Sequence, residues 1–120
     1  MMNFEFDKEN GILFLTPHGK LEKKDFEKIA SEVDPYIEKE GKLEGLLLSA
    51  TTFPYWKDLE SMVTHFRFVK DHQKNLKKLA VVSDDTLLGL IPKLASHFIN
   101  AEVHHFRAAD RNKALEWVKE

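Results

Sequence analysis

The sequence predicts an α/β domain: one mixed five-stranded sheet with four helices, in the order β-β-α-β-α-β-α-β-α. Three observations carry this. The runs "ILFLTP", "EGLLLSA" and "KKLAVVSDD" have the continuous apolar character of strands covered on both faces. Segments with helical periodicity alternate with them, which argues for parallel strands joined by right-handed crossovers. An Asn-Gly pair between "NFEFD" and "ILFLTP" adds an antiparallel strand at the N-terminus.

The first strand alternates. Phe4 and Phe6 fall on one face, with Asn3, Glu5 and Asp7 on the other, the pattern of a half-exposed edge strand. Asn10 and Gly11 are expected to supply positive φ angles to a tight hairpin. After "HGKLEKK", residues Phe26, Ile29, Ala30, Val33 and Ile37 form one helical stripe. Pro35 is expected to kink or tighten that helix, and Gly41 to end it. The third strand follows. Beyond "TTFPYWKD", a second stripe runs through Leu59, Met62, Val63, Phe66 and Val69. The fourth strand ends in Ser83, Asp84 and Asp85, and "TLLGLIPKLASHF" reads as a third helix with Gly89 and Pro92 in its opening turns. "AEVHHF" is a shorter strand. "DRNKALEWVKE" is a final helix with Asp110 as its cap, turning Ala114, Leu115 and Val118 inward.

Length and composition narrow the function classes. With 120 residues, 42% of them apolar and 32% charged, the chain suits one globular domain, 1–120. Eighteen basic and twenty acidic residues give a formal net charge of −2. No basic patch marks a nucleic-acid surface; "LEKKDFEK" and "KNLKK" read as solvated element ends. There is no cysteine, so disulfide and thiol chemistry are excluded. The opening "MMNFEFDKEN" lacks the basic and apolar segments of a signal peptide, and no apolar run nears the ~20 residues of a membrane span. A cytoplasmic protein is the expectation.

The N-terminal hairpin, the helix, an apolar strand ending in a Phe-x-x-Trp loop, and "KLAVVSDD" followed by "PKLASHFINAEVHHF" together resemble the SpoIIAA-like family over nearly the whole chain. These are small bacterial proteins related to STAS domains and, more distantly, to the lipid-binding CRAL-TRIO fold. The resemblance implies a STAS-like scaffold. In related chains an aspartate closes the third strand and Gly-Trp opens the next helix; here Ser49 and Tyr55-Trp56 occupy those places, so only the tryptophan is kept. The Asp-Ser-Ser/Thr-Gly motif phosphorylated in anti-anti-sigma STAS proteins is replaced by Phe-Pro-Tyr-Trp-Lys-Asp. No phosphorylatable hydroxyl carries over, and the scaffold is expected to work without that switch.

Parallel sheets bind ligands at the carboxyl ends of their strands, where Ser49, Thr51, Thr52, Ser83, Asp84 and Asp85 fall. Beside helix N-termini such residues can hold an anion, but they are more often caps, and capping is the role expected here. Metal binding is disfavoured despite six histidines. His104 and His105 are strand neighbours pointing to opposite faces, and His65 and His72 are about 10.5 Å apart along a helix. His18 reads as a turn residue. No HExxH pair, G-x-S-x-G elbow or Walker loop occurs. No cofactor is expected, and a non-enzymatic protein is.

The aromatic turn remains. Phe53 and Trp56 either cover the end of the sheet or face a partner, whereas Tyr55 is expected to reach solvent. Phe68 falls about opposite the second stripe, among Ser61, Thr64 and His65, where it is exposed or covered by another chain. The leading expectation is a binding or regulatory module that uses Phe53, Tyr55, Trp56 and Phe68 against a protein partner or a second copy. The alternative is a carrier of a small apolar, lipid-like ligand held between the sheet and its second and third helices.

Overall fold

The computed structural model describes residues 2–17, 23–49, 76–84 and 101–120. Five strands lie among them: β1 (Met2–Asp7), β2 (Ile12–Pro17), β3 (Leu43–Ser49), β4 (Leu76–Val82) and β5 (Glu102–Phe106). Helix α1 spans Lys23–Glu40, a 3-10 turn covers Ala108–Asp110, and helix α2 spans Arg111–Lys119. The helices expected over 59–69 and 86–98 lie outside the described residues.

The sheet order is β1-β2-β3-β4-β5, the order of the chain itself. β1 is antiparallel to β2, and every later pairing is parallel. The mixed sheet and its antiparallel edge strand are therefore as the sequence predicts.

The hairpin differs in detail. Gly11 has φ +69°, but among the described residues no residue other than glycine has positive φ, so Asn10 does not share the left-handed role. The connection is four residues long, because Asp7 pairs with Ile12. In so wide a turn one left-handed residue suffices: the Gly11 N–H donates to the Asp7 carbonyl at 2.8 Å. Asn10 instead bonds the Asp7 carboxylate through its backbone N–H, at 3.2 Å, and its side-chain amide, at 2.7 Å. These bonds hold the Asp7 carboxyl below its ordinary range, the side-chain bond most of all.

Two cores form, one on each face of the sheet. On the α1 face, Ile29, Val33 and Ile37 meet Leu13, Leu15, Leu46, Leu48, Leu79 and Val81, with Phe4, Phe6 and Val103 at the margin. Each fully buried Ile or Val contributes about 1.5–3 kcal/mol, enough to hold a helix that carries a proline. α1 runs through Pro35, which is exposed, and stops at Gly41 (φ +84°), whose N–H returns to the Ile37 carbonyl at 2.7 Å. Tyr36 packs edge-on against Phe6, ring centres 5.1 Å apart.

On the other face, Ala114 and Val118 of α2 sit on Ile12, Leu47, Ala80 and Val82, flanked by Phe14, Phe106, Leu115 and Trp117. Gly45 makes this seat. A Cβ there would lie 3.1 Å from Val118 Cγ2, so its absence lets α2 lie close to β3.

Asp110 is the N-cap residue of α2, but its side chain makes no capping bond. The 3-10 turn leads straight into α2, and the carboxylate instead points to Lys113, with Oδ1 3.8 Å from Nζ. The expected cap is thus corrected to an exposed ion pair.

Candidate functional site

Register brings the carboxyl ends of the parallel strands into one row. Ser49 pairs with Val82, and Val82 with Phe106. Ser49 is the half-buried last residue of β3, so the stretch beginning at 50 leaves from this edge. Thr51, Thr52, Phe53, Tyr55, Trp56, Phe68 and Asp85 lie outside the described residues. Of the sequence-derived candidates, Ser49, Ser83 and Asp84 remain to be placed.

Ser83 and Asp84 fasten β4 to the segment that follows β5. The Ser83 N–H donates to the Phe106 carbonyl at 3.0 Å, which extends the ladder one residue past β4. His105 Nε2 donates to the Ser83 carbonyl at 2.7 Å. A carbonyl can only accept, so the proton is on Nε2. Asp84 Oδ1 then accepts the Ala108 N–H at 3.0 Å, satisfying the first donor of the 3-10 turn. Asp84 thus caps an element 24 residues later in the chain; the helix expected directly after it lies outside the described residues. Ser83 is 1% exposed, its backbone N–H and carbonyl both engaged by β5.

His104 and His105 lie on opposite faces, as strand geometry requires. His104 stacks on Trp117 with ring centres 4.4 Å apart, and Phe106 lies 5.8 Å from the same indole. Lys78 completes this cluster. It is buried, its Nζ donates to the Trp117 carbonyl at 3.0 Å, and it lies 5.0 Å from the Trp117 ring centre. Glu120 Oε2 is 3.9 Å from the same ammonium. A cation at the last turn of a helix is favoured by the helix dipole, so Lys78 pins α2 from the strand beneath it.

Reading "KNLKK" as solvated was therefore incorrect for Lys78. Lys77 is exposed, whereas Lys78 shares the face of Ala80 and Val82. That signal was available: period-2 counting back from Ala80 puts position 78 on the covered face. Among the described residues no group of three or more histidine and acidic side chains is arranged to hold a metal ion. No described helix is long and apolar enough to cross a membrane.

Five strands of mixed direction, with a helix on each face and the strand ends tied together by short polar contacts, define a small α/β sandwich. The family model described as SpoIIAA-like matches residues 12–119 of this chain. The protein belongs to the SpoIIAA-like family. Comparisons with curated proteins and with solved structures give no match.

Proposed function

We propose that this protein is a binding or regulatory module that works through protein contacts, made by the aromatic turn Phe53, Tyr55 and Trp56 together with Phe68. The observation that carries this reading is the use made of polar groups at the carboxyl edge. Asp84 is engaged with Ala108 and His105 with the Ser83 carbonyl, so two groups suited to ligand chemistry serve to hold the edge together. What leaves that edge after Ser49 is an aromatic-rich stretch, and aromatic side chains supply large contact area at low entropic cost. The same chain lacks the hydroxyl motif of the phosphorylated STAS proteins, which supports contact without that switch. The setting we propose is the cytoplasm.

The test is a photo-crosslinking residue placed at Tyr55, at Phe68 and, as a control, at exposed Lys39 on α1. Irradiation of producing cells is expected to trap the same protein species at both aromatic positions and not at Lys39. Equal yield at all three positions, or no trapped species, would refute the reading.

A further inference from the structure

Among the described residues β5 ends the sheet order, and its exposed side chains include Glu102, His104 and His105. Phe106 turns its carbonyl inward to Ser83, and Ala108 turns its N–H inward to Asp84. In extended chain, the backbone groups of successive residues point to alternate sides. Val103 and His105 therefore direct both N–H and C=O away from β4, and Arg107 its N–H, while the Arg107 carbonyl accepts the Asp110 N–H at 2.9 Å. Arg107 is itself extended (φ −73°, ψ 158°), so its N–H carries the outward row one donor past the last residue of the strand.

An outward row of this kind is a template for another strand. The side chains select which one. Antiparallel pairing about a two-fold axis at His105 places Val103 opposite Arg107 of the second copy, and His104 opposite Phe106 of the second copy. The latter pair falls on the face where His104, Phe106 and Trp117 already form one aromatic cluster. Cross-strand aromatic pairs are among the most favourable, and a two-fold contact closes on itself rather than growing into a fibre. β1 is the poorer match, because a two-fold axis at Glu5, near its middle, would set two like-charged carboxylates together, whereas the axis at His105 brings two imidazoles together. We propose that β5 pairs antiparallel with β5 of a second copy of this chain, joining two sheets through the His104–Phe106 aromatic contacts.

This surface is distinct from the aromatic turn at 53–56, and one set of measurements separates them. Light scattering across a wide concentration range is expected to give twice the 14.0 kDa chain mass when concentrated, falling to 14.0 kDa on dilution. His105→Pro removes an outward N–H, which proline tolerates on an edge strand, and His104→Glu sets a carboxylate against Phe106 of the second copy. Both variants should stay at the chain mass, whereas Phe68→Ser should still dimerise. Without any substitution, the Val103 and His105 amides should exchange at least ten-fold more slowly in the concentrated protein. A wild type at the chain mass throughout, or a dimer with both amides unprotected, overturns the proposal. So does a dimer lost in Phe68→Ser but kept in both β5 variants.

Discussion

Asp84 and Ala108 are joined by a 3.0 Å hydrogen bond from the Ala108 N–H to Oδ1, across 24 residues of chain. The bond ties the end of β4 to the turn that launches α2. Removing the acceptor leaves the first donor of that turn to water, at a cost of about 1 kcal/mol. Asp84→Ala should lower stability by that amount in chemical denaturation, and Asp84→Asn, which keeps an acceptor, by much less.

Gly11 and Gly41 both have positive φ, but only Gly11 is crowded. A Cβ at Gly11 would lie 2.6 Å from the Tyr36 hydroxyl, whereas one at Gly41 meets nothing within 4 Å. Gly41→Ala should therefore cost about 1 kcal/mol from backbone strain alone. Gly11→Ala should cost about 2 kcal/mol or more, and part of the excess should vanish in a Tyr36→Phe background. Urea unfolding of the two single variants and the double variant checks this.

The Asp7 carboxyl titrates low because Asn10 donates to it twice. A depressed folded-state pKa makes a contribution that is complete above the ordinary aspartate range and is lost as pH falls through the folded value. Asn10→Ala should raise the Asp7 pKa toward its ordinary value in an NMR titration. The same variant should lose stability at neutral pH and less of it in strong acid. At this exposed turn the effect is small.

A carrier of apolar ligands would retain one through mild purification. Native mass spectrometry is expected to show no adduct on the chain mass or on twice that mass, and none after incubation with fatty acids. A retained lipid-sized adduct would favour the carrier reading over the contact module.

Much of the fold was legible because strand signals are local. The apolar runs at Ile12–Leu15 and Leu46–Leu48, and the stripe through Ile29, Val33 and Ile37, each declare a face without knowledge of their partners. The candidate edge was legible only in part. Ser83 and Asp84 were placed at the strand end, but their partners Phe106, His105 and Ala108 come from elsewhere in the chain, and nothing in local sequence names them. Asp110 has the right residue type for a cap, yet the 3-10 turn in front of it sends its carboxylate outward to Lys113. Lys78 was missed for the opposite reason. Its charge suggests solvent, whereas its strand periodicity, which decides the matter, puts it on the covered face.

The proposed contact surface requires the aromatic turn to lie over the carboxyl edge formed by Ser49, Val82 and Phe106. Nuclear Overhauser contacts from the Trp56 indole, read in a methyl-labelled Trp117→Phe protein, test this directly. The account predicts contacts to the methyl groups of Leu48 or Val82. Contacts instead to Leu43 and Leu76, at the opposite ends of the same strands, would contradict it.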